Sequence, residues 1–124
     1  MNLVMLPEKS NLCGQAVIAM IADISLKESI KIFNSKSTTT TRQLIAVLQE
    51  LNIRCANKLI RLKKQHELFQ HKLPNICIVK LHFTEYSRTH WCVFYYGKYY
   101  DSCAGIRNEL ESYVYQTSYL EILQ

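Results

Sequence analysis

A chain of 124 residues, 48% hydrophobic and 20% charged, has the size and balance of one globular domain with a modest core, and excludes disordered and fibrous classes. Five cysteines at irregular spacing, with no C-x-x-C pair and four scattered histidines, argue against a disulfide framework and a structural zinc site, so no metal or cofactor is expected. The net charge of +5 is concentrated in NKLIRLKKQHELFQHK, residues 57 to 72, read as a solvated face rather than a nucleic-acid surface.

The opening MNLVMLPEKS has neither a basic n-region nor a long apolar h-region, so no signal peptide is expected. The longest apolar stretch, Ala16 to Ala22, is far below the roughly 20 residues that span a bilayer. The protein is therefore expected to be cytoplasmic, or delivered by a signal-independent exporter.

The first helix is expected to start near Cys13, because Ala16, Val17, Met20, Ile21 and Ile24 recur at helical spacing. Ser25 with Glu28 in SLKE signals a second helix through a capping box, with Leu26, Ile30 and Phe33 on its buried side. Thr40 with Gln43 repeats the device for a third, whose core stripe is Leu44, Val47, Leu48 and Leu51. The period then changes. NIRCANKLIRL reads as a short strand and KKQHELFQHK as a surface helix ending before Pro74. NICIVKLHF alternates and is β-branched, hence a strand, and the polar TEYSRT turns the chain. HWCVFYYGKYYDS, two aromatic runs around Gly97-Lys98, is the best hairpin signal in the chain. IRNELESYVYQTSYLEILQ reads as helical to about Gln116. Helices first and antiparallel strands later predict an α+β architecture, a helical half packed on a sheet.

Three residues carry the chemical signal: Cys13 at a helix N-terminus, His90 at the start of a strand and Asp101 at the end of its partner. A helix N-terminus stabilises a thiolate. A thiol nucleophile also needs an imidazole to take its proton, and the imidazole needs a third group to orient it. The hairpin register decides whether His90 and Asp101 meet. A four-residue loop places Asp101 opposite Cys92, diagonal to His90 at about 7–8 Å between backbones. A tight Gly97-Lys98 turn places it opposite Phe94, out of reach without a bulge, and a three-residue loop turns it to the other face.

The order of a Cys-helix, a His-strand and an Asp, carried by CGQAVIAMIAD and HWCVFYYGKYYDS, resembles the papain-like cysteine peptidases. The similarity is closest to the bacteriocin-processing peptidases that cut double-glycine leaders. The resemblance implies a papain-like fold with Cys13 as nucleophile, His90 as base and Asp101 as orienting residue. It implies no cofactor, and a peptide or protein as substrate. Two positions depart from the family. Pro7 stands six residues before Cys13, where the family carries a Gln that helps form the oxyanion hole, and proline has no donor to offer. Asn11 is the nearby substitute. Losing one oxyanion donor typically costs a factor of about 10²–10³ in turnover. Ser102 follows the Asp where proline is common, a lesser change. Gln15, one residue past the Cys-Gly pair, is not the missing Gln.

The expected activity is that of a thiol protease with a dedicated substrate, working through a Cys13 thioester. A glutamine deamidase or acyltransferase, such as a bacterial effector of the same fold, passes through the same intermediate. A pseudoenzyme that binds a peptide without cutting it is the reading that Pro7 favours.

Overall fold

The computed structural model describes residues 1–7, 10–62, 73–83, 88–111 and 113–123. Among these residues three helices come first: α1 (Cys13–Ala22), α2 (Leu26–Phe33) and α3 (Thr41–Glu50). Six strands of the described residues follow: β1 (Ile60–Arg61), β2 (Ile76–Phe83), β3 (Arg88–Tyr95), β4 (Lys98–Asp101), β5 (Gly105–Arg107) and β6 (Val114–Glu121). They form one antiparallel sheet in the order β1-β6-β2-β3-β4-β5. The architecture is α+β, as the change of period predicts.

Local chemistry starts each helix. Thr40 Oγ1 accepts from Gln43 N–H, and Gln43 Oε1 accepts from Thr40 N–H at 2.8 Å, closing a full capping box on α3. Ser25 caps α2 through Glu28 N–H. Asp23 and Asn34 end α1 and α2 in the left-handed region, conformations that Asp and Asn tolerate better than most residues. Ile24, expected on the apolar face of the first helix, lies past that stop. The fully buried residue of α2 is Ser29, whose hydroxyl donates to Gln15 O at 2.7 Å.

The helices lie against one face of the sheet. Val17, Ile18 and Met20 of α1 and Leu44, Val47 and Leu48 of α3 form one core cluster with Ile78, Trp91, Val93 and Leu120. Cys77, Val79, Leu81, Cys92, Tyr99 and Val114 form a second. Leu48 is fully buried, so Leu48→Ala is expected to lower stability by about 2–5 kcal/mol, read as a lower denaturation midpoint.

Three expectations change. The tail expected to be helical to about Gln116 forms β5 and β6. Along β6 the buried residues are Val114, Gln116, Ser118 and Leu120, alternating with half-buried Tyr115, Thr117, Tyr119 and Glu121, and the pairing with β2 shifts register at Lys80/Leu81. Two of the buried positions are polar, so the period of two is hidden in a hydrophobicity pattern. The short strand expected in NIRCANKLIRL contracts to Ile60–Arg61, with an isolated bridge from Cys55 to Ile122. The hairpin turns at Tyr96-Gly97, one residue earlier than Gly97-Lys98, with φ of 45° and 86°. Both central residues at positive φ match the tight turn that follows strand twist. The helix expected over KKQHELFQHK, with most of the basic run, lies outside the described residues, as does most of the TEYSRT turn. No helix is long and apolar enough to cross a membrane among the described residues.

Candidate active site

The shift of the turn by one residue sets the site. Val93 pairs with Tyr100, Phe94 with Tyr99 and Tyr95 with Lys98. Continued one step, that register sets Asp101 opposite Cys92 and diagonal to His90. This is the register that the four-residue loop was expected to produce, reached instead by a two-residue turn. His90 Nε2 and Asp101 Oδ1 stand 2.8 Å apart, and both residues are buried.

Asp101 opens the turn between β4 and β5, and the turn folds back on its carboxylate. Cys103 N–H donates to Oδ1 at 2.8 Å, and Ala104 N–H also reaches the carboxylate. Burial would raise the Asp101 pKa, but the His90 hydrogen bond, the His90 charge and the two backbone donors together hold it below its ordinary value. The chain before α1 braces this turn, with Leu6 N–H donating to Ser102 O at 2.8 Å.

Cys13 is the first residue of α1, and its half-buried thiol meets the His90 ring in a hydrogen bond. Since Asp101 occupies Nε2, Nδ1 is the nitrogen left for sulfur. The thiol also accepts from the backbone N–H groups of Trp91 and Gly14. Burial works against the thiolate, but the His90 hydrogen bond and charge, followed by these two donors, lower the Cys13 pKa. For His90, burial disfavours the imidazolium. Hydrogen bonds and charges from Asp101 and Cys13 reverse this and raise its pKa to about 10. The placement of Cys13 is thus explained: the first helical turn has N–H groups without carbonyl partners, and one of them serves the sulfur.

The other cysteines sit in different surroundings. Cys77 is buried and pushed up to about 12, by burial and then by the Glu121 charge. Cys92 is fully buried and pushed well above its ordinary value, chiefly by burial. Half-buried Cys55 is raised by burial alone, and Cys103 is exposed.

Asn11, the expected oxyanion donor, is exposed two residues before α1. Gln15 serves a different end. It is fully buried, and its Nε2 donates to Ser35 O at 3.1 Å and Ser37 O at 2.9 Å, pinning the α2–α3 loop to α1.

Sequence reasoning missed what holds Cys13 in place. Trp91, next to His90, gives its backbone N–H to the sulfur, and its indole Nε1 donates to Thr39 O at 3.4 Å. Thr39 lies on Gly14: a Cβ at Gly14 would meet Thr39 Oγ1 at 1.8 Å and its Cβ and Cγ2 at 2.8 Å each. Glycine follows the cysteine because the α2–α3 loop crosses there. Gly14→Ala is expected to cost about 1–3 kcal/mol by overpacking, with part of the loss restored by Thr39→Gly in the same chain. Urea midpoints of the single and double variants check this. The nearest sequence signal was the bare Cys-Gly pair, and nothing in it named Thr39.

A cavity of about 510 Å³ runs along α3, lined by residues that include Thr41, Arg42, Ile45, Gln49, Asn57 and Lys58. It contains none of the three site residues, so volume does not locate the chemistry here. Compared with known proteins, the chain matches no family model, and no curated protein is significantly similar to it.

Proposed function

We propose that this protein is a papain-like cysteine hydrolase that opens a peptide or protein amide through a Cys13 thioester. The observation that carries the reading is the continuous chain from Cys13 through the His90 ring to Asp101, with a 2.8 Å hydrogen bond at its buried end. Cys13 Sγ attacks the carbonyl carbon and the His90 imidazolium returns a proton to the leaving nitrogen. Water, deprotonated by the same ring, then opens the thioester. Asp101 holds the ring so that one nitrogen faces the sulfur throughout. The backbone N–H of Cys13, in the first turn of α1, donates to the developing oxyanion, with Asn11 as the side-chain donor in place of a glutamine. The preferred activity is proteolysis of a dedicated substrate.

A peptide library digested with wild-type protein and with Cys13→Ala, read by mass spectrometry, tests this. New chain ends that depend on Cys13 are the expected result. Gln-to-Glu conversion without new ends would assign a deamidase instead. Neither product, with Cys13 still reactive, would leave a peptide-binding pseudoenzyme, the reading favoured by the donorless Pro7.

A further inference from the structure

Cys103 takes no part in the proposed chemistry, yet the β4–β5 turn brings it to the same place. Its sulfur, a ring nitrogen of His90 and a carboxylate oxygen of Asp101 all lie within 4.8 Å of one another. His90 and Asp101 are buried, while Cys103 is exposed and gives the cluster an opening to solvent. Tetrahedral zinc, with bonds of about 2.0–2.3 Å, holds neighbouring ligand atoms roughly 3.3–3.8 Å apart. Closing the cluster around an ion therefore takes about an ångström of movement from an exposed side chain. The His90–Asp101 contact would open by about half an ångström.

We propose that His90, Asp101 and Cys103 form a capture site for a zinc-class divalent cation, and that capture holds the Cys13 nucleophile in a reversible off-state. The inference of an off-state rests on the catalytic reading above; the metal site itself does not. The donors are one imidazole nitrogen, one carboxylate oxygen and one thiolate. That set suits zinc or cobalt, while the thiolate disfavours magnesium and calcium. Three protein ligands leave a fourth position for water on the exposed side. On binding, His90 Nε2 exchanges its bond to hydrogen for a bond to the metal, and Cys103 Sγ does the same. Two protons leave to solvent, and no electron moves. With Nε2 on the metal, the proton on Nδ1 still faces the sulfur but sits on a neutral ring and is held more tightly than that of an imidazolium, so it no longer passes to a leaving group and turnover stops.

Zinc binding to chelator-treated protein is measured by competition with a chromophoric indicator, for wild type, Cys103→Ser and Cys13→Ser. Wild type is expected to bind one zinc ion. Cys103→Ser, a change at an exposed position, is expected to weaken binding at least about tenfold. Cys13→Ser is expected to keep the wild-type affinity within about threefold, because Cys13 lies outside the ligand set. Cobalt-loaded wild type is expected to show a thiolate-to-metal absorption band that Cys103→Ser lacks. An affinity that follows Cys13 rather than Cys103, or no binding at all, overturns the proposal. The alkylation rate of Cys13 in the metal-free protein is read separately. A sluggish Cys13 beside intact zinc binding would remove the catalytic reading and keep the metal site; a reactive Cys13 without zinc binding would do the reverse.

Discussion

In metal-free protein, iodoacetamide is expected to label Cys13 rapidly below pH 7, and His90→Ala to slow that labelling at pH 6 by about a hundredfold. An ordinary thiol, with a pKa of about 8.5, is only about 0.3% thiolate at pH 6. In the wild type the His90 hydrogen bond and charge, with the Trp91 and Gly14 N–H groups, overcome burial and lower the Cys13 pKa. Removing the ring removes the two largest favourable contributions and leaves burial opposed by two backbone donors. The expected ratio is somewhat less than the change in thiolate fraction, because a thiolate of lower pKa is intrinsically less nucleophilic. Peptide-resolved mass spectrometry lets each cysteine report separately. Cys77 and Cys92, buried and raised, serve as unreactive internal controls. Equal Cys13 rates in wild type and variant would remove the thiolate–imidazole pair and the function built on it.

The helical half of the fold was legible because its signals are local. The caps at Ser25 and Thr40 and the stripe from Leu44 to Leu48 lie within single turns of chain, and α2 and α3 begin where these caps predict. Strand β2 was legible from alternation alone. β6 was not, because its buried Gln116 and Ser118 are compatible with a strand only beside partners far away in sequence. Gln116 hydrogen-bonds Tyr99 on β4, while Thr117 on the same strand donates to Lys80 O at 3.2 Å. The site divides the same way. Cys13, His90 and Asp101 could be named from order and residue type, and the structure brings all three together. The register that joins the last two could not be settled, because it depends on a tyrosine, Tyr96, at φ 45°. A bulky residue at positive φ is disfavoured locally, and contacts between segments hold it there: the pairing of β3 with β4, and the Tyr96 N–H donating to Asn75 O at 2.7 Å. Thr39 on Gly14 and the Trp91 N–H on sulfur are likewise contacts between distant segments, with no local pattern to announce them.

Replacing Asp101 with Asn is expected to lower the His90 pKa from about 10 by at least about one unit, a loss of roughly tenfold or more in proton affinity, with the Cys13 hydrogen bond and charge still raising it. Burial alone holds the ring below its ordinary value, and the Asp101 hydrogen bond and charge are among the contributions that reverse this. Asn keeps the shape and can still accept from Cys103 N–H, but it carries no charge. Imidazole resonances followed by NMR against pH in both proteins measure the change directly. Stability follows with a definite sign. A group raised on folding stabilises fully below its unfolded pKa, here about 6.5, and that contribution is lost as pH rises toward 10. Asp101, lowered on folding, stabilises above its unfolded pKa of 3.8, and that contribution is lost as pH falls through the folded value. The gap in urea midpoint between wild type and Asp101→Asn is therefore expected to be widest between about pH 4 and 6.5, narrowing toward both extremes. Without the carboxylate the imidazolium is held less firmly, so the counter-charge to Cys13 weakens and Cys13 labels more slowly at pH 7. A His90 that titrates alike in both proteins would mean that the 2.8 Å contact does not orient or charge the ring, and Asp101 would lose its place in the mechanism.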